Sequence, residues 1–179
     1  MKYRPKLIPK PFNQVDRDDI FKLVRSDKYQ RKYFDGRNSR DLARFNELEV
    51  YNQKLEKIAR EIFNDPTLKG TYSVYIDYNK KDSNLAMHRD QNACVYTIDY
   101  CVSADFDWPL TIEDEDFSIP VGQAIAFMGG DDLHGRKPKS TDGRVENIMF
   151  HFCPADHWYF TEGPDYIRVL AAEGKLVEY

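Results

Sequence analysis

Hydrophobic positions change their rhythm near residue 69 of this chain. Before that point apolar side chains recur every three or four residues, the spacing of a helix face. Asp16 to about Ser26 reads as a short helix with Ile20, Phe21 and Leu23 or Val24 as its apolar side. Lys28 to Arg37 is polar, contains Gly36 and reads as a loop. Asn38 or Ser39 can cap a longer helix with Asp41 in its first turn. Along it recur Leu42, Phe45, Leu48, Tyr51 or Asn52, Leu55, Ile58 and Ile62, and Pro66 closes it. The plain reading of that helix is a buttress on the outer face of a sheet; a partner-binding or dimerisation helix is the competing one. Ahead of both, Met1 to Phe12 is a Pro- and Lys-rich arm, expected to lie extended on the surface.

From Lys69 the period becomes two. Tyr72, Val74, Ile76 and Tyr78 fall on one face of a strand spanning Thr71 to Tyr78. Asn92 to Ser103 is rich in β-formers and reads as a central strand. Short strands follow at Trp108 to Ile112, Phe117 to Ile119 and Val121 to Met128, separated by turns that include the acidic Glu113–Asp116 run and Gly129-Gly130. Arg144 to Cys153 is a last, strongly apolar strand, and Tyr166 to Leu176 reads as a closing helix. This rhythm predicts an α+β chain: a jelly roll with N-terminal buttressing helices and a short C-terminal helix. One domain is expected across 1–179, with helical support over 1–68, the jelly-roll core over 69–155 and an extension over 156–179.

Composition narrows the class. A hydrophobic content of 41% with 14% aromatics fits a packed domain and excludes global disorder. A formal net charge of −4 gives no general nucleic-acid footprint. The first twelve residues carry three prolines and no apolar run, and no segment approaches a membrane span. Cys94, Cys101 and Cys153 are odd in number without C-x-x-C spacing, which reads as reduced, buried thiols in a cytoplasmic protein.

The chemistry concentrates between His88 and Arg144. His88-Arg89-Asp90 places an imidazole and a carboxylate at i and i+2, on one face if the segment is extended. His134 follows, and Arg144 stands ten residues beyond it. Two imidazoles and one carboxylate on one side of an octahedral ion make the facial triad that suits non-haem Fe(II) and leaves positions open. An arginine nearby offers a planar fork for the far carboxylate of an oxoacid. Each residue has a duller alternative. His134 also fits a turn histidine after Asp131-Asp132. His151 is the rival third ligand, although it shares strand parity with Val145, Asn147 and Met149 and not with Arg144. His157 reads as surface or as support for a ligand. Arg136, Lys137 and Lys139 read as a solvated loop, with Arg136 able to reach a substrate carboxylate. Tyr78, Tyr96 and Tyr100 are core aromatics first and oxoacid contacts second, with Asn92 and Thr97 weaker candidates. Trp108 is either buried or at the substrate mouth.

Together, His88-x-Asp90, Gly122-x-x-x-x-Phe127, His134 and Gly143-Arg144 resemble the Fe(II)/2-oxoglutarate-dependent dioxygenase superfamily, over roughly Tyr72 to Pro154. The resemblance implies the double-stranded β-helix fold, His88, Asp90 and His134 as catalytic metal ligands, and Arg144 at the co-substrate's C5 carboxylate. It further implies a tyrosine contact from Tyr78 or Tyr96, and Fe(II), 2-oxoglutarate and O2 as cofactor and co-substrates. The implied reaction couples oxidative decarboxylation of 2-oxoglutarate to oxidation of a C–H bond, as in a hydroxylase. The Gly-Gly-x-Thr segment of prolyl hydroxylases is replaced by Asp107-Trp108-Pro109-Leu110, and the Arg-rich tail of nucleic-acid demethylases is not evident, so neither substrate class carries over. A small molecule or a peptide side chain is the expected substrate class. Two other classes stay open: a non-catalytic jelly-roll binding module, and a cupin-type metalloenzyme without an oxoacid. The absence of a His-x-His counts against the cupin.

Overall fold

A computed structural model describes residues 3–26, 32–44, 46–91 and 93–162. The long apolar strand that closes the sequence pattern is the centre of the molecule. It runs from Val145 to Cys153 (β11) and is buried along its whole length on both faces, as suits a largely apolar run. It pairs antiparallel on one side with β4 (Lys69–Tyr78) and on the other with β6 (Tyr96–Ala104). Around these three are β9 (Ala124–Phe127), β1 (Lys6–Ile8), β3 (Arg40–Ala43) and β2 (Lys32–Asp35), in a seven-stranded sheet ordered β1-β9-β6-β11-β4-β3-β2. A second sheet is ordered β5-β10-β7-β8, from Leu85–His88 (β5), His134–Arg136 (β10), Leu110–Ile112 (β7) and Glu115–Phe117 (β8). From β4 onward the chain passes to and fro between the two sheets, and every pairing is antiparallel.

The two faces of the large sheet carry separate apolar clusters. Tyr75, Ile98, Tyr100, Ile148, Phe150 and Phe152 pack with Ile20 and Val24 of α1 (Gln14–Arg25) and with Leu55 and Ala59 of α2 (Glu49–Phe63). On the other face Val74, Ile76, Tyr78, Cys101, Val145 and Met149 meet Leu85, Leu110 and Ile112 of the small sheet. Each large side chain so buried contributes roughly 1.5–3 kcal/mol. α1 starts where Asn13 accepts the Asp16 N–H at 2.9 Å and ends with Lys22 and Arg25 in its last turn, where cations suit the helix dipole. α2 ends at Asn64, whose left-handed backbone (φ 54) suits a C-terminal cap.

Four sequence expectations change. The long helix predicted from Asn38 or Ser39 begins only at Glu49, after a 3-10 turn at Asn46–Leu48. Arg40–Ala43 is instead a strand paired with β2, inside what read as a loop, and with β4. Leu42 satisfied a helical period by coincidence; as a strand residue it covers the open edge of β4 opposite Ile76 and closes over the inter-sheet core. Ser39, with φ 52, sits in the hairpin turn and caps nothing. The N-terminal arm is not merely a surface segment, because β1 covers the edge of β9. Phe45 and the predicted Tyr166–Leu176 helix lie outside the described residues, where the last helix is α3 (Trp158–Thr161). The three cysteines are buried and no two form a disulfide. Among the described residues no helix is long and apolar enough to cross a membrane.

Candidate metal centre

His88 ends β5 and His134 begins β10, and the antiparallel register sets them directly opposite each other. Their ring centroids are 4.4 Å apart. Asp90 lies just beyond the strand and not on it, so the expected i, i+2 face is not what brings it in. A turn does. The Asp90 N–H donates to the Gly129 carbonyl at 2.8 Å, and Thr97 Oγ1 donates to Asp90 Oδ2 at 2.8 Å. The other oxygen, Oδ1, then stands 3.4 Å from the Nε2 atoms of both His88 and His134. Nitrogen and oxygen donors of all three residues lie within 4.8 Å of one another.

Close approach of backbone makes this possible. A Cβ at Gly129 would overlap Asp90 Oδ2 and Thr97 Oγ1 and come within 2.8 Å of the Cys94 carbonyl. The following turn is shaped by Asp132, whose Oδ2 accepts the Met128 N–H at 3.0 Å and whose own N–H donates to the Met128 carbonyl at 2.7 Å. That turn aims the Asp132 carbonyl at His134 Nδ1, 2.9 Å away. The Ala86 carbonyl meets His88 Nδ1 at 2.8 Å in the same way. Carbonyls only accept, so both Nδ1 atoms carry the hydrogen and both Nε2 lone pairs turn toward Asp90.

Those lone pairs face a carboxylate, which is a repulsive arrangement unless a cation lies between. His134 Nε2 is fully buried and makes no hydrogen bond. Burial opposes ionisation of Asp90, yet His134 and His88 hold its carboxyl well below the usual range. Burial likewise opposes a charge on His134, but the Asp90 contact and charge raise its pKa. A proton therefore serves in the gap, and a divalent ion with nitrogen and oxygen preferences fits it better, since it satisfies all three donors at once.

The remaining predicted residues divide sharply. Tyr78 is buried between the sheets, edge-on to Trp108 with centroids 4.9 Å apart. Tyr96 is on the other face of the large sheet, against Phe63 of α2 at 4.5 Å, and Tyr100 packs on Phe12 there. Arg144 is not brought to the triad. Its guanidinium is bidentate to Asp77, with both bonds 2.8 Å, and lies 3.4 Å from Glu146, on the face that carries the helices. Residues 145, 147, 149 and 151 point inward, which leaves 144 pointing away. His151 is inside but not in the donor group: Thr97 Oγ1 lies 3.1 Å from its Nδ1, its ring packs on Tyr72, and burial pushes its pKa down to about 4. His157 caps α3, and Asn92 lies outside the described residues. Arg136 is buried, not a solvated loop residue, and donates to Asp99 Oδ2 at 3.0 Å and to the Trp108 carbonyl. Lys139 is buried too, on the Tyr78 and Gly143 carbonyls, whereas Lys137 is exposed on Asp116.

Sequence reasoning missed Arg40. It is 3% exposed, stands on the inward face of β3, and shares the walls of one small cavity with His88, Asp90, Tyr72, Ile76, Met149 and His151. Its only signal was the alternation Arg40, Leu42 in a four-residue strand. A separate cleft of about 340 Å³ is lined by Trp108, Arg136 and Asn147 among others.

No family model and no curated protein matches this sequence. Solved structures do match by shape. HygX from Streptomyces hygroscopicus with nickel and 2-oxoglutarate bound superposes with a TM-score of 0.64 at 13% identity, over 85% of this chain and 83% of that one. The non-haem α-ketoglutarate-dependent epimerase SnoN of nogalamycin biosynthesis gives 0.67 at 10% identity, over 84% and 76%. A Pseudomonas putida prolyl-4-hydroxylase gives 0.61 at 11% identity, over 85% and 93%. The chain thus has the fold of the iron- and 2-oxoglutarate-dependent oxygenases.

Proposed function

We propose that this protein is an Fe(II)- and 2-oxoglutarate-dependent oxygenase, acting as a hydroxylase. The observation that carries the reading is the buried His134 Nε2, without a partner and aimed with His88 Nε2 at Asp90 Oδ1. The alternation of strands between two antiparallel sheets supports the double-stranded β-helix that goes with it. His88, Asp90 and His134 would hold the metal on one side, Thr97 would fix the Asp90 carboxylate, and the Ala86 and Asp132 carbonyls would fix both imidazoles. Ferrous iron with bound 2-oxoglutarate supplies the redox chemistry that couples decarboxylation to oxidation of a C–H bond. The chain's own contribution is orientation and a dry inner wall: Tyr72, Cys94, Ile76 and Met149 line the side of the site facing the core.

A small-molecule substrate is favoured over a peptide side chain. Support comes from structures of HygX with hygromycin B bound and of SnoN with nogalamycin RO bound. A cytoplasmic location belongs to the same reading, in keeping with three buried thiols that form no disulfide.

Anaerobic addition of Fe(II) and 2-oxoglutarate should produce the visible iron-to-oxoacid charge-transfer band, and O2 should then release succinate. His134→Ala and Asp90→Ala should abolish both. A wild-type protein that binds iron without developing the band would exclude an oxoacid-using enzyme.

A further inference from the structure

We infer that Arg40, from the added strand β3, anchors the distal carboxylate of the oxoacid and so sets selectivity for a five-carbon diacid. This rests on the oxygenase reading of the same site and assigns the part that Arg144 does not perform.

The requirement is simple. A diacid chelated through its oxo end extends away from the metal, and its far carboxylate must meet a cation inside the protein. Among the described residues three cationic side chains are buried, Arg40, Arg136 and Lys139, and Lys139 is committed to the Tyr78 and Gly143 carbonyls. Both arginines are ion-paired, Arg40 with Asp35 and Arg136 with Asp99, so the cavity each one lines decides between them. Arg136 lines the 340 Å³ cleft, whose walls include none of His88, Asp90 and His134. Arg40 shares a cavity wall with His88 and Asp90.

Its own hydrogen bonds leave one end of the fork available. Nε donates to Asp35 Oδ2 at 3.3 Å and Nη1 to Tyr78 Oη at 3.3 Å, while Nη2 has no partner among the described residues. Tyr78 Oη accepts from Arg40 and makes no other side-chain hydrogen bond there, so its own proton is free to point onward. One guanidinium N–H and one phenol O–H side by side are the two donors that a carboxylate takes. Asp35 holds the guanidinium from behind, itself fixed by Asn38 Nδ2 at 2.7 Å. Space is the remaining condition. The cavity measures about 30 Å³, room for roughly two waters. A diacid therefore needs a wall to yield, and Met149 is the most adaptable side chain in it.

The test compares two oxoacids that chelate identically. 2-Oxoglutarate carries the far carboxylate and 2-oxobutyrate lacks it. Both are titrated anaerobically into the Fe(II)-loaded full chain, following the charge-transfer band and, separately, heat of binding. Wild type should prefer 2-oxoglutarate by at least about tenfold, the scale of a lost hydrogen-bonded charge pair. Arg40→Gln should collapse that preference to near unity while leaving 2-oxobutyrate and iron binding intact. Arg40→Lys, which keeps the buried charge beside Asp35 should the glutamine variant fold poorly, should show a reduced preference. Tyr78→Phe should weaken 2-oxoglutarate alone. Arg144→Gln should keep the wild-type ratio. An unchanged ratio in Arg40→Gln, or a collapse in Arg136→Gln in its place, overturns the assignment while leaving the oxygenase reading standing. Wild-type protein that binds iron but neither oxoacid removes both.

Discussion

At the scale of single residues the site is least forgiving at Gly129. Any side chain there must displace the Asp90 carboxylate and the Thr97 hydroxyl that holds it. Gly129→Ala should therefore weaken metal binding by about 10- to 100-fold, the range seen when support around a ligand is lost. Gly130→Ala is the matched control, because its nearest neighbour would be an ordinary 3.6 Å away. Calorimetric titration with Fe(II) or Ni(II) would show the contrast; equal affinities in the two variants would mean that Asp90 is not held as described. The same scale shows what a sequence can disclose. Spacing and residue type single out His88, Asp90 and His134, since few side chains other than these make a ligand set. The anchoring arginine is a different matter. Arg144 stands at the expected step, but β11 is buried on both faces and carries polar residues on both, Glu146 on one and Asn147 and His151 on the other. Alternation along it therefore carries no sign of which side is the interior. Arg40 has no motif around it and enters the site through a strand that the apolar period disguised as helix.

Among elements, the strands β4, β6, β9 and β11 were legible to within a few residues, because their β-branched and aromatic runs have few other uses. The hairpin of β2 and β3 was not, being short and mixed in polarity. Yet it is tied firmly to the strand bearing His88: the Asn84 N–H donates to the Asn38 carbonyl at 3.0 Å, and the Ala86 N–H to Asn38 Oδ1 at 3.3 Å. On the opposite face Arg144 joins a polar cluster in which Arg25 of α1, Tyr75 and Ser103 all bond to the buried Glu146. Its work is to pin α1 and β11 together. Arg144→Ala leaves Asp77 buried without its bidentate partner. It should cost about 2 kcal/mol, reduced from the usual penalty because the guanidinium is 40% exposed. Urea denaturation would measure it. A loss of oxoacid affinity in a variant that remains folded would contradict the placement of Arg144 outside the site.

For the whole molecule, pH enters through His151. Burial depresses its pKa from 6.5 to about 4, with the Asp90 charge opposing. The folded chain keeps this imidazole neutral while the unfolded chain protonates it near 6.5. Its contribution is thus present above that value and lost as pH falls toward about 4. The stake is about 3 kcal/mol. Metal-free protein should lose stability across that window, and His151→Gln should flatten the slope. A wild-type profile already flat between those limits would remove the argument.

The large sheet also has a history written into its order. Its outermost strands, β1 and β2, both come from residues 6–35, but β2 pairs with β3, which follows it at once, whereas the partner of β1 is β9, far along the chain. During synthesis β1 must therefore wait for residues 124–126 to emerge before it has a partner. Removing β1 would leave the strands that bear His88 and His134 intact in composition but would bare a row of β9 backbone donors and acceptors, an invitation for one copy to stack on the next.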